Sequence, residues 1–188
     1  MFERLSRLDN LTGLYNDRFF YEALEKEIDR ALDKGMDLSL AFFDLDHFKD
    51  VNDTHGHLVG SRVLKEVGRL LEEIFNKTKA VLARYGGDEF VIIMPNKDLK
   101  SAGEYAEILR KKIENNIFIK DAASAKEKAL NIKGVITCSV GVASLKENVV
   151  PNRRIARLGT ALISQADKAM YQAKEQGKNR LCFAKGRV

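Results

Sequence analysis

The sequence predicts a single α+β domain in which helices pack on a central, antiparallel-rich sheet. Its 188 residues suffice for one domain with a proper core, and 45% of them are hydrophobic. From the first strand-like run onward, segments with strand and helix patterns follow in the order β-α-β-β-α-β-α-β. A mixture of this kind, with one evident hairpin, is typical of a sheet covered by helices.

Apolar residues at helical spacing predict four helices. The first covers residues 17–34, where Phe20, Leu24 and Ile28 share one face and Gly35 provides a stop. The other three are predicted over residues 60–76, 101–117 and 161–177.

Short apolar runs predict the strands. LSLAFFDLD (38–46) is strongly apolar and ends in acids, as expected of a central strand. Two runs on either side of the YGGDE turn predict a β-hairpin that ends at Pro95, and residues 134–144 alternate as a strand does. The last strand is NRLCFA (179–184). Mobile insertions are predicted over residues 121–133 and 146–159.

Composition and charge exclude several classes of protein. No apolar run approaches the ~20 residues of a membrane span, and the charged N-terminus lacks the apolar centre of a signal peptide. The net charge is +5, but most of the 32 basic residues are interleaved with acids, as on solvated helix faces, which disfavours a nucleic-acid interface. Cys138 and Cys182 lack metal-site spacing, so we expect both to be buried free thiols. Free thiols suit a reducing compartment, which predicts a cytoplasmic protein.

Asp44 and Asp46 end a run that must otherwise be buried. A carboxylate at such a position is costly unless it is paired or bound to a cation. Mg²⁺ prefers oxygen ligands and takes one or two protein carboxylates together with substrate phosphates. Asp88 could supply a second carboxylate if its strand is a neighbour. The alternative is that each aspartate caps a helix or a turn.

The turn GGDE (86–89) combines flexible and acidic residues. Gly86 and Gly87 allow backbone angles that other residues avoid, and they let a ligand approach the main chain. Gly-Gly is also a common hairpin turn, so an ordinary hairpin is the alternative. Asp88 and Glu89 are poor first residues for a strand, and they would repel Asp44 without a cation between them. The combination favours a metal site.

Three lysines and one asparagine have the chemistry to bind a nucleotide. Lys49 and Asn52 follow the acidic strand, and an ammonium suits a phosphate while an amide can pair with a purine edge. Lys174 and Lys178, four apart on one predicted helical face, form a second candidate phosphate clamp, although a solvated helix end is the simpler local explanation. The sequence HGH (55–57) lacks the further ligands of a zinc site.

Five motifs, taken together and in order, resemble the GGDEF family, the diguanylate cyclases. They are DNLTGLYN (9–16), FFDLDHFKDVNDTHGH (42–57), RYGGDEF (84–90), SVGVA (139–143) and ADKAMYQAKEQGKNR (166–180). The resemblance covers nearly the whole chain. It implies a palm-like fold, similar to class III nucleotide cyclase catalytic domains. It also implies a reaction that joins two nucleoside triphosphates into a cyclic 3′,5′-dinucleotide and releases pyrophosphate.

The resemblance further implies roles for individual residues. Asp44 and Asp88 correspond to metal-binding carboxylates, with the Leu45 carbonyl as a further ligand, for Mg²⁺ or else Mn²⁺. Glu89 would lie close to the reacting hydroxyl or the metal, and Lys49 belongs with these catalytic residues. Each domain would hold one triphosphate, so catalysis would need a homodimer. The nucleotide itself would be contacted by Phe48, Asn52, His57, Ser61, Gly86, Gly87, Lys174 and Lys178.

Ser61 departs from the family pattern, in which an aspartate usually stands at this position. That aspartate accepts hydrogen bonds from guanine N1–H and the amino group, whereas N1 of adenine is itself an acceptor. A serine hydroxyl can donate or accept, so loss of the carboxylate should relax selectivity. The chain thus resembles the hybrid promiscuous subgroup, which accepts ATP as well as GTP and forms cyclic GMP–AMP beside cyclic di-GMP. The alternative is a GTP-specific enzyme.

Two further expectations concern product inhibition and the bounds of the catalytic domain. Many family members have an RxxD product-binding motif where this chain has KTKA (77–80), so product inhibition there should be weak or absent. Residues 1–8 are expected to be the stub of a connecting helix, with the catalytic domain over residues 9–188 and a sensory domain upstream. A nucleotide-binding sensor without catalysis is a third alternative, which the intact Asp44 and Asp88 disfavour.

Overall fold

The computed structural model describes residues 7–121, 129–151 and 154–188, and within these ranges the chain forms six helices and seven strands. The helices are α1 (Asp17–Lys34), α2 (Phe48–His55), α3 (His57–Phe75), α4 (Leu99–Asn115), α5 (Leu145–Asn148) and α6 (Ile155–Glu175). The strands are β1 (Leu38–Asp46), β2 (Val81–Gly86), β3 (Glu89–Pro95), β4 (Ile117–Phe118), β5 (Ile132–Lys133), β6 (Thr137–Ser144) and β7 (Leu181–Phe183).

β1 is the centre of a five-stranded sheet with the order β2-β3-β1-β6-β7. It pairs antiparallel with β3 and with β6, and all nine of its residues are buried. β7 pairs parallel to β6, which makes the sheet mixed. β4 and β5 form a separate two-stranded sheet. The predicted α+β domain, with an antiparallel-rich sheet and flanking helices, is confirmed.

Helices cover both faces of the sheet and enclose two hydrophobic clusters. Successive side chains of a strand point to opposite faces, so Phe42 and Phe43 enter different clusters. Phe43 stacks on Phe90 of β3, with ring centroids 5.1 Å apart, in the cluster that contains residues of α3 and α4. Phe42 packs in the other cluster, with residues of α1 and α6. Packing on both faces fixes β1, and with it the side chains at its carboxyl end.

Several element boundaries differ from the prediction. α3 begins at His57 rather than at residue 60. α4 begins at Leu99 because the Asp98 side chain accepts a hydrogen bond from the Ser101 N–H at 2.7 Å and caps the helix. α6 begins at Ile155, inside the predicted insertion 146–159, because its first turns bury further apolar residues in the cluster that α6 shares with α1. Of the predicted insertion 121–133, residues 122–128 lie outside the described residues, and β5 forms its end.

The two cysteines differ in burial. Cys138 is buried, as predicted, on β6, an inner strand of the sheet. The prediction of a buried Cys182 is wrong, since this residue is only half-buried because β7 is an edge strand. Both are free thiols. None of the described helices has the length and apolar character needed to cross a membrane.

Candidate functional site

A cavity of about 230 Å³ opens at the carboxyl end of β1. The end of β1, the start of α2, the tip of the β2–β3 hairpin and the last turn of α6 with the residues beyond it meet there. The cavity is lined by eight of the residues that the sequence singled out, namely Asp44, Leu45, Asp46, Phe48, Lys49, Asp88, Lys174 and Lys178. The fold therefore gathers carboxylates and ammonium groups from three of the five motifs around one space.

Asp44 supplies a nearly buried carboxylate to this cavity, with 8% of the residue exposed. Burial raises its pKa above the ordinary value, and the charges of Asp88 and Asp46 add to that rise. The Lys174 ammonium, 2.8 Å from Asp44 Oδ2, opposes the rise. A carboxylate in this setting needs a cation, and Lys174 is a cation that the protein itself provides.

Asp46 lies two residues further along the same strand but has a different environment. Its Oδ1 accepts from the Ser139 hydroxyl at 2.8 Å, and its Oδ2 accepts from the Thr137 hydroxyl at 2.7 Å. Oδ2 also accepts from the backbone N–H of Asn179 at 3.0 Å. These three donors satisfy the Asp46 carboxylate, so Asp44 rather than Asp46 is the acid available to a ligand. The local sequence pattern does not distinguish the two, and only the family resemblance favours Asp44.

The glycines of the GGDEF turn shape a two-residue hairpin loop. β2 ends at Gly86 and β3 begins at Glu89, and these two residues pair with each other. Gly87 has a φ of 51°, in the left-handed region that glycine adopts without strain. Asp88 follows at the tip, where its carbonyl accepts from the Leu45 N–H at 3.3 Å. The turn thus delivers the Asp88 side chain to the cavity wall.

Arg84 links this hairpin to the N-terminal motif DNLTGLYN. Its guanidinium donates to the Gly87 carbonyl at 2.9 Å from Nε and 2.6 Å from Nη2, and to Asp9 Oδ2 at 3.2 Å from Nη1. Asp9 also accepts from the backbone N–H and the hydroxyl of Thr12, at 2.8 and 2.7 Å. Burial raises the pKa of Asp9, but the bonds from Thr12 and Arg84 outweigh it and lower the pKa. Sequence reasoning singled out the motif but assigned no role to Arg84 or Asp9.

Glu89 lies directly opposite Asp44 in the register of β1 and β3. Burial raises the pKa of its carboxyl, the charges of Asp44, Asp167 and Asp88 raise it further, and Lys174 opposes them. Because the pKa in the folded state exceeds the unfolded value, the folded state binds the proton more tightly. Stability therefore falls as the pH rises from the unfolded pKa through the folded pKa, and ionised Glu89 destabilises the fold at neutral pH.

Replacing Glu89 by glutamine is expected to raise the melting temperature of the metal-free protein at neutral pH. The amide removes a desolvated and repelled charge, and the gain should be modest because Glu89 is only half-buried. The gain should shrink as the pH falls through the raised pKa of the folded state, and it should vanish below 4.5, the ordinary pKa of a glutamate, because wild-type Glu89 is then protonated in both states. Melting curves across this pH range measure the effect; a gain independent of pH would contradict its electrostatic origin.

The three predicted phosphate-binding lysines reach the cavity from different places. Lys49 is exposed in the first turn of α2, and Lys174 is in the last turn of α6. Lys178 lies beyond α6, which ends at Glu175, and has a φ of 62°. The prediction that Lys174 and Lys178 share one helical face is therefore wrong, because the chain leaves the helix between them. Both nevertheless line the cavity.

Asn52 and Gly60 bring α2 and α3 together at a second part of the candidate site. Asn52 Oδ1 is buried and has no hydrogen-bond partner within the part of the chain that the structure describes. A buried acceptor without a donor is costly, and an N–H group of a ligand would satisfy it. Ser61 follows Gly60 and is half-buried, and His57 is exposed at the start of α3. Neither Ser61 nor His57 is on the wall of the cavity that Asp44 lines.

Replacing Gly60 by alanine is expected to displace the Asn52 side chain and to weaken purine nucleotide binding about tenfold. A β-carbon at Gly60 would overlap Asn52 Oδ1 and come within 3.1 Å of the Phe48 ring. Overpacking of this kind costs ~1–3 kcal/mol, so the melting temperature should also fall. Nucleotide titration and thermal unfolding measure the two effects. Gly159→Ala is the matched control, since a β-carbon there makes ordinary contacts; losses as large as those of Gly60→Ala would contradict the assignment.

The oxygen atoms at the cavity have the chemistry of a site for a hard cation. Asp44 and Asp88 offer carboxylates on its wall, and Leu45 offers a backbone carbonyl between Asp44 and Asp46. Among the residues that the structure describes, no cluster of three or more His, Cys, Asp or Glu side chains could hold a metal ion. A cation bound here must take its other ligands from water and substrate, as Mg²⁺ commonly does.

Known proteins resemble this chain over most of its length. Residues 6–180 match the family described as diguanylate cyclase, GGDEF domain. The chain is 37% identical over 173 residues to diguanylate cyclase DgcP of Pseudomonas aeruginosa, a match that covers 92% of this chain and 23% of that protein. It is 34% identical over 173 residues to diguanylate cyclase VdcA of Vibrio cholerae, again with 92% of this chain but 45% of that protein.

A solved structure agrees on the fold. The coiled coil and GGDEF domain of DgcB from Caulobacter crescentus, in complex with c-di-GMP, has a TM-score of 0.81 with this chain at 29% identity. The likeness covers 97% of this chain and 88% of that one, which confirms the expected palm-like fold. The chain spans less than half the length of DgcP and of VdcA. The match over residues 6–180, together with this shared fold, shows that the chain belongs to the diguanylate cyclase GGDEF-domain family.

Proposed function

We propose that this chain is a dinucleotide cyclase that condenses two nucleoside triphosphates into a cyclic 3′,5′-dinucleotide and releases pyrophosphate. One observation carries the proposal: a single cavity is lined by the carboxylates Asp44 and Asp88 and by the lysines Lys49, Lys174 and Lys178. Phosphoryl transfer needs this combination, since carboxylates hold cations and ammonium groups neutralise phosphate oxygens. Two similar proteins are diguanylate cyclases by name, which supports the same reaction.

The residues of the cavity fit Mg²⁺, and they also suit Mn²⁺. The Asp44 and Asp88 carboxylates and the Leu45 carbonyl would hold the metal, and these are hard oxygen donors. Lys174, 2.8 Å from Asp44, marks where the folded chain stabilises a positive charge. When bound, the metal supplies charge neutralisation for the triphosphate and activation of the attacking hydroxyl.

The other side chains at the cavity bind and orient the triphosphate. Lys49, Lys174 and Lys178 attract phosphate oxygens by charge and hold them on the cavity wall. Lys178 stands where the family more often has arginine, so a point charge replaces a bidentate contact. Glu89, opposite Asp44 in the sheet, is assigned to the neighbourhood of the reacting hydroxyl or the metal.

The purine is assigned to Asn52 and Ser61. Asn52 Oδ1 needs a donor, and guanine and adenine each carry an amino group that can donate to it. The Ser61 hydroxyl can donate or accept, so both GTP and ATP are substrates in this proposal, and cyclic GMP–AMP forms beside cyclic di-GMP. The nucleotide site is completed by Phe48, His57, Gly86 and Gly87.

Catalysis is assigned to a homodimer. In the proposed reaction each chain binds one triphosphate, and the 3′-hydroxyl of each nucleotide attacks the α-phosphate of the other. Two chains must therefore face each other across the pair of substrates. The initial rate should rise more steeply than the first power of chain concentration; a strictly proportional rate at concentrations where the chain is monomeric would contradict the dimer.

Product analysis tests the proposed reaction. The purified chain, supplied with Mg²⁺ and equimolar GTP and ATP, should yield cyclic GMP–AMP together with cyclic di-GMP, identified by mass spectrometry. Cyclic di-GMP alone would contradict the assignment of Ser61 and indicate a GTP-specific diguanylate cyclase. Nucleotide binding without any product would contradict catalysis and favour a sensor.

A further inference from the structure

The turn that follows α6 holds Lys178 in an unfavourable backbone conformation. Gly177, Lys178 and Asn179 have φ values of 114°, 62° and 46°, so three consecutive residues are in the left-handed region. A lysine rarely adopts that region, because its Cβ crowds the backbone, whereas glycine adopts it freely. Such a conformation persists only where surrounding contacts impose it.

Lys178 itself is held by its N–H, which donates to the Ala173 carbonyl at 3.0 Å, and by its carbonyl, which accepts from Arg180 Nε at 3.0 Å. Asn179 adds further contacts. Its backbone N–H donates to Asp46 Oδ2 at 3.0 Å, which ties the turn to the end of β1. Its side-chain Nδ2 donates to Glu114 Oε1 at 2.7 Å, and its Oδ1 accepts from Arg110 Nη1 at 2.7 Å, both on α4. Its backbone carbonyl accepts from the same Arg110 Nη1 at 3.4 Å. Every polar group of Asn179 is therefore engaged.

The partners of Asn179 on α4 are themselves fixed. Arg110 donates to both carboxylate oxygens of Glu107, at 2.9 and 2.8 Å, and to Glu114 Oε2 at 3.0 Å. The Arg110 side chain is 12% exposed, so this network is held within the protein surface rather than free in solvent. The hydrogen bond from Asn179, followed by that from Arg110, lowers the pKa of Glu114, which keeps its acceptor charged.

We infer that Asn179 is a positioning residue that fixes the Lys178 side chain on the wall of the phosphate cavity. It does so by anchoring the turn to Asp46 on one side and to Arg110 and Glu114 on the other. A glycine at position 178 would adopt this conformation without such an anchor, whereas a lysine depends on it. The inference rests on the proposed function for its ligand, a nucleoside triphosphate.

Nucleotide titration tests this role. The probes are 3′-deoxy-GTP, which lacks the attacking hydroxyl, and 3′-deoxy-GMP, which has a single phosphate. Asn179→Gly keeps the backbone N–H and tolerates a left-handed φ. It should raise the Kd for 3′-deoxy-GTP with Mg²⁺ about tenfold and leave the Kd for 3′-deoxy-GMP unchanged. In a Lys178→Met background, the same substitution should have no further effect.

Two more variants separate positioning from a general structural role. Glu114→Ala leaves the backbone of the turn intact and should raise the Kd for 3′-deoxy-GTP about threefold. Glu73→Gln removes another ion pair of α4, that of Lys112 with Glu73 at 3.0 Å, and should change neither Kd.

Additive effects of Asn179→Gly and Lys178→Met, or equal losses for the two probes, would overturn the inference. If the wild-type chain binds 3′-deoxy-GTP and converts GTP to product, those outcomes reject the positioning role of Asn179 but leave the proposed function standing. If the wild-type chain does neither, the proposed function fails, and this inference fails with it.

Discussion

Replacing Asp88 by asparagine is expected to lower the rate of dinucleotide formation by at least about 1,000-fold. Asp88 and Asp44 are the two cavity carboxylates assigned to the metal, and asparagine removes the negative charge that would hold a divalent cation. The hairpin itself depends on the left-handed Gly87 and on the main-chain bond from Leu45 to the Asp88 carbonyl. The fold should therefore survive the substitution while the chemistry does not.

Steady-state rates with GTP and Mg²⁺, together with melting temperatures, measure this effect. Asp53→Asn is the matched control, because Asp53 is an exposed acid on neighbouring α2 and the same charge is removed. The control should keep its activity. A rate for Asp88→Asn within about tenfold of wild type, in a protein that melts normally, would contradict the metal assignment.

The central strand and the GGDEF hairpin could be predicted because their determinants are local. Nine consecutive buried positions in β1 require an apolar run, and that run is visible in the sequence. The reversal at Gly87 requires a residue that tolerates a positive φ, and the sequence places glycine there. Asp44 and Asp88 could therefore be predicted at a strand end and at a hairpin turn, whereas their proximity depends on the pairing of β1 with β3, which the sequence leaves open.

The hydrogen bonds and ion pairs that hold the site together could not be predicted, because their partners are remote in sequence. Asp46 meets Ser139 across 93 residues and the Asn179 N–H across 133 residues. Arg84 meets Asp9 across 75 residues. No local pattern separates Asp46 from Asp44, although one is satisfied by the protein and the other is open to a ligand. Such distinctions depend on tertiary pairing.

Lys178 illustrates the same limit at the level of backbone conformation. Helical periodicity predicts that Lys178 shares one face with Lys174, and this geometry is wrong although both lysines line the same cavity. The helix ends at Glu175, and the left-handed turn returns Lys178 to the cavity. The turn is held by backbone bonds to the end of α6 and by the hydrogen bonds of Asn179 to β1 and α4, and periodicity carries no information about either.

Replacing Ser61 by aspartate is expected to raise the preference for GTP over ATP, measured as the ratio of kcat/KM values, by at least about 100-fold. The new carboxylate accepts hydrogen bonds from guanine N1–H and the amino group, whereas adenine presents an N1 lone pair to it. Ser61 is half-buried and next to Gly60, which lies against the Asn52 side chain. A carboxylate there would act on the same base as Asn52, with limited competition from water.

Competition between GTP and ATP, with products separated by mass, measures this change and locates its cause. Cyclic GMP–AMP should disappear from the product mixture while cyclic di-GMP persists, because the carboxylate rejects adenine and retains guanine. Thr160→Asp, which adds the same charge on an exposed part of α6, should leave the product ratio as it is. An unchanged ratio in Ser61→Asp would place base selection elsewhere. Asn52 alone would not select between the two bases, because guanine and adenine both present an amino donor to its Oδ1.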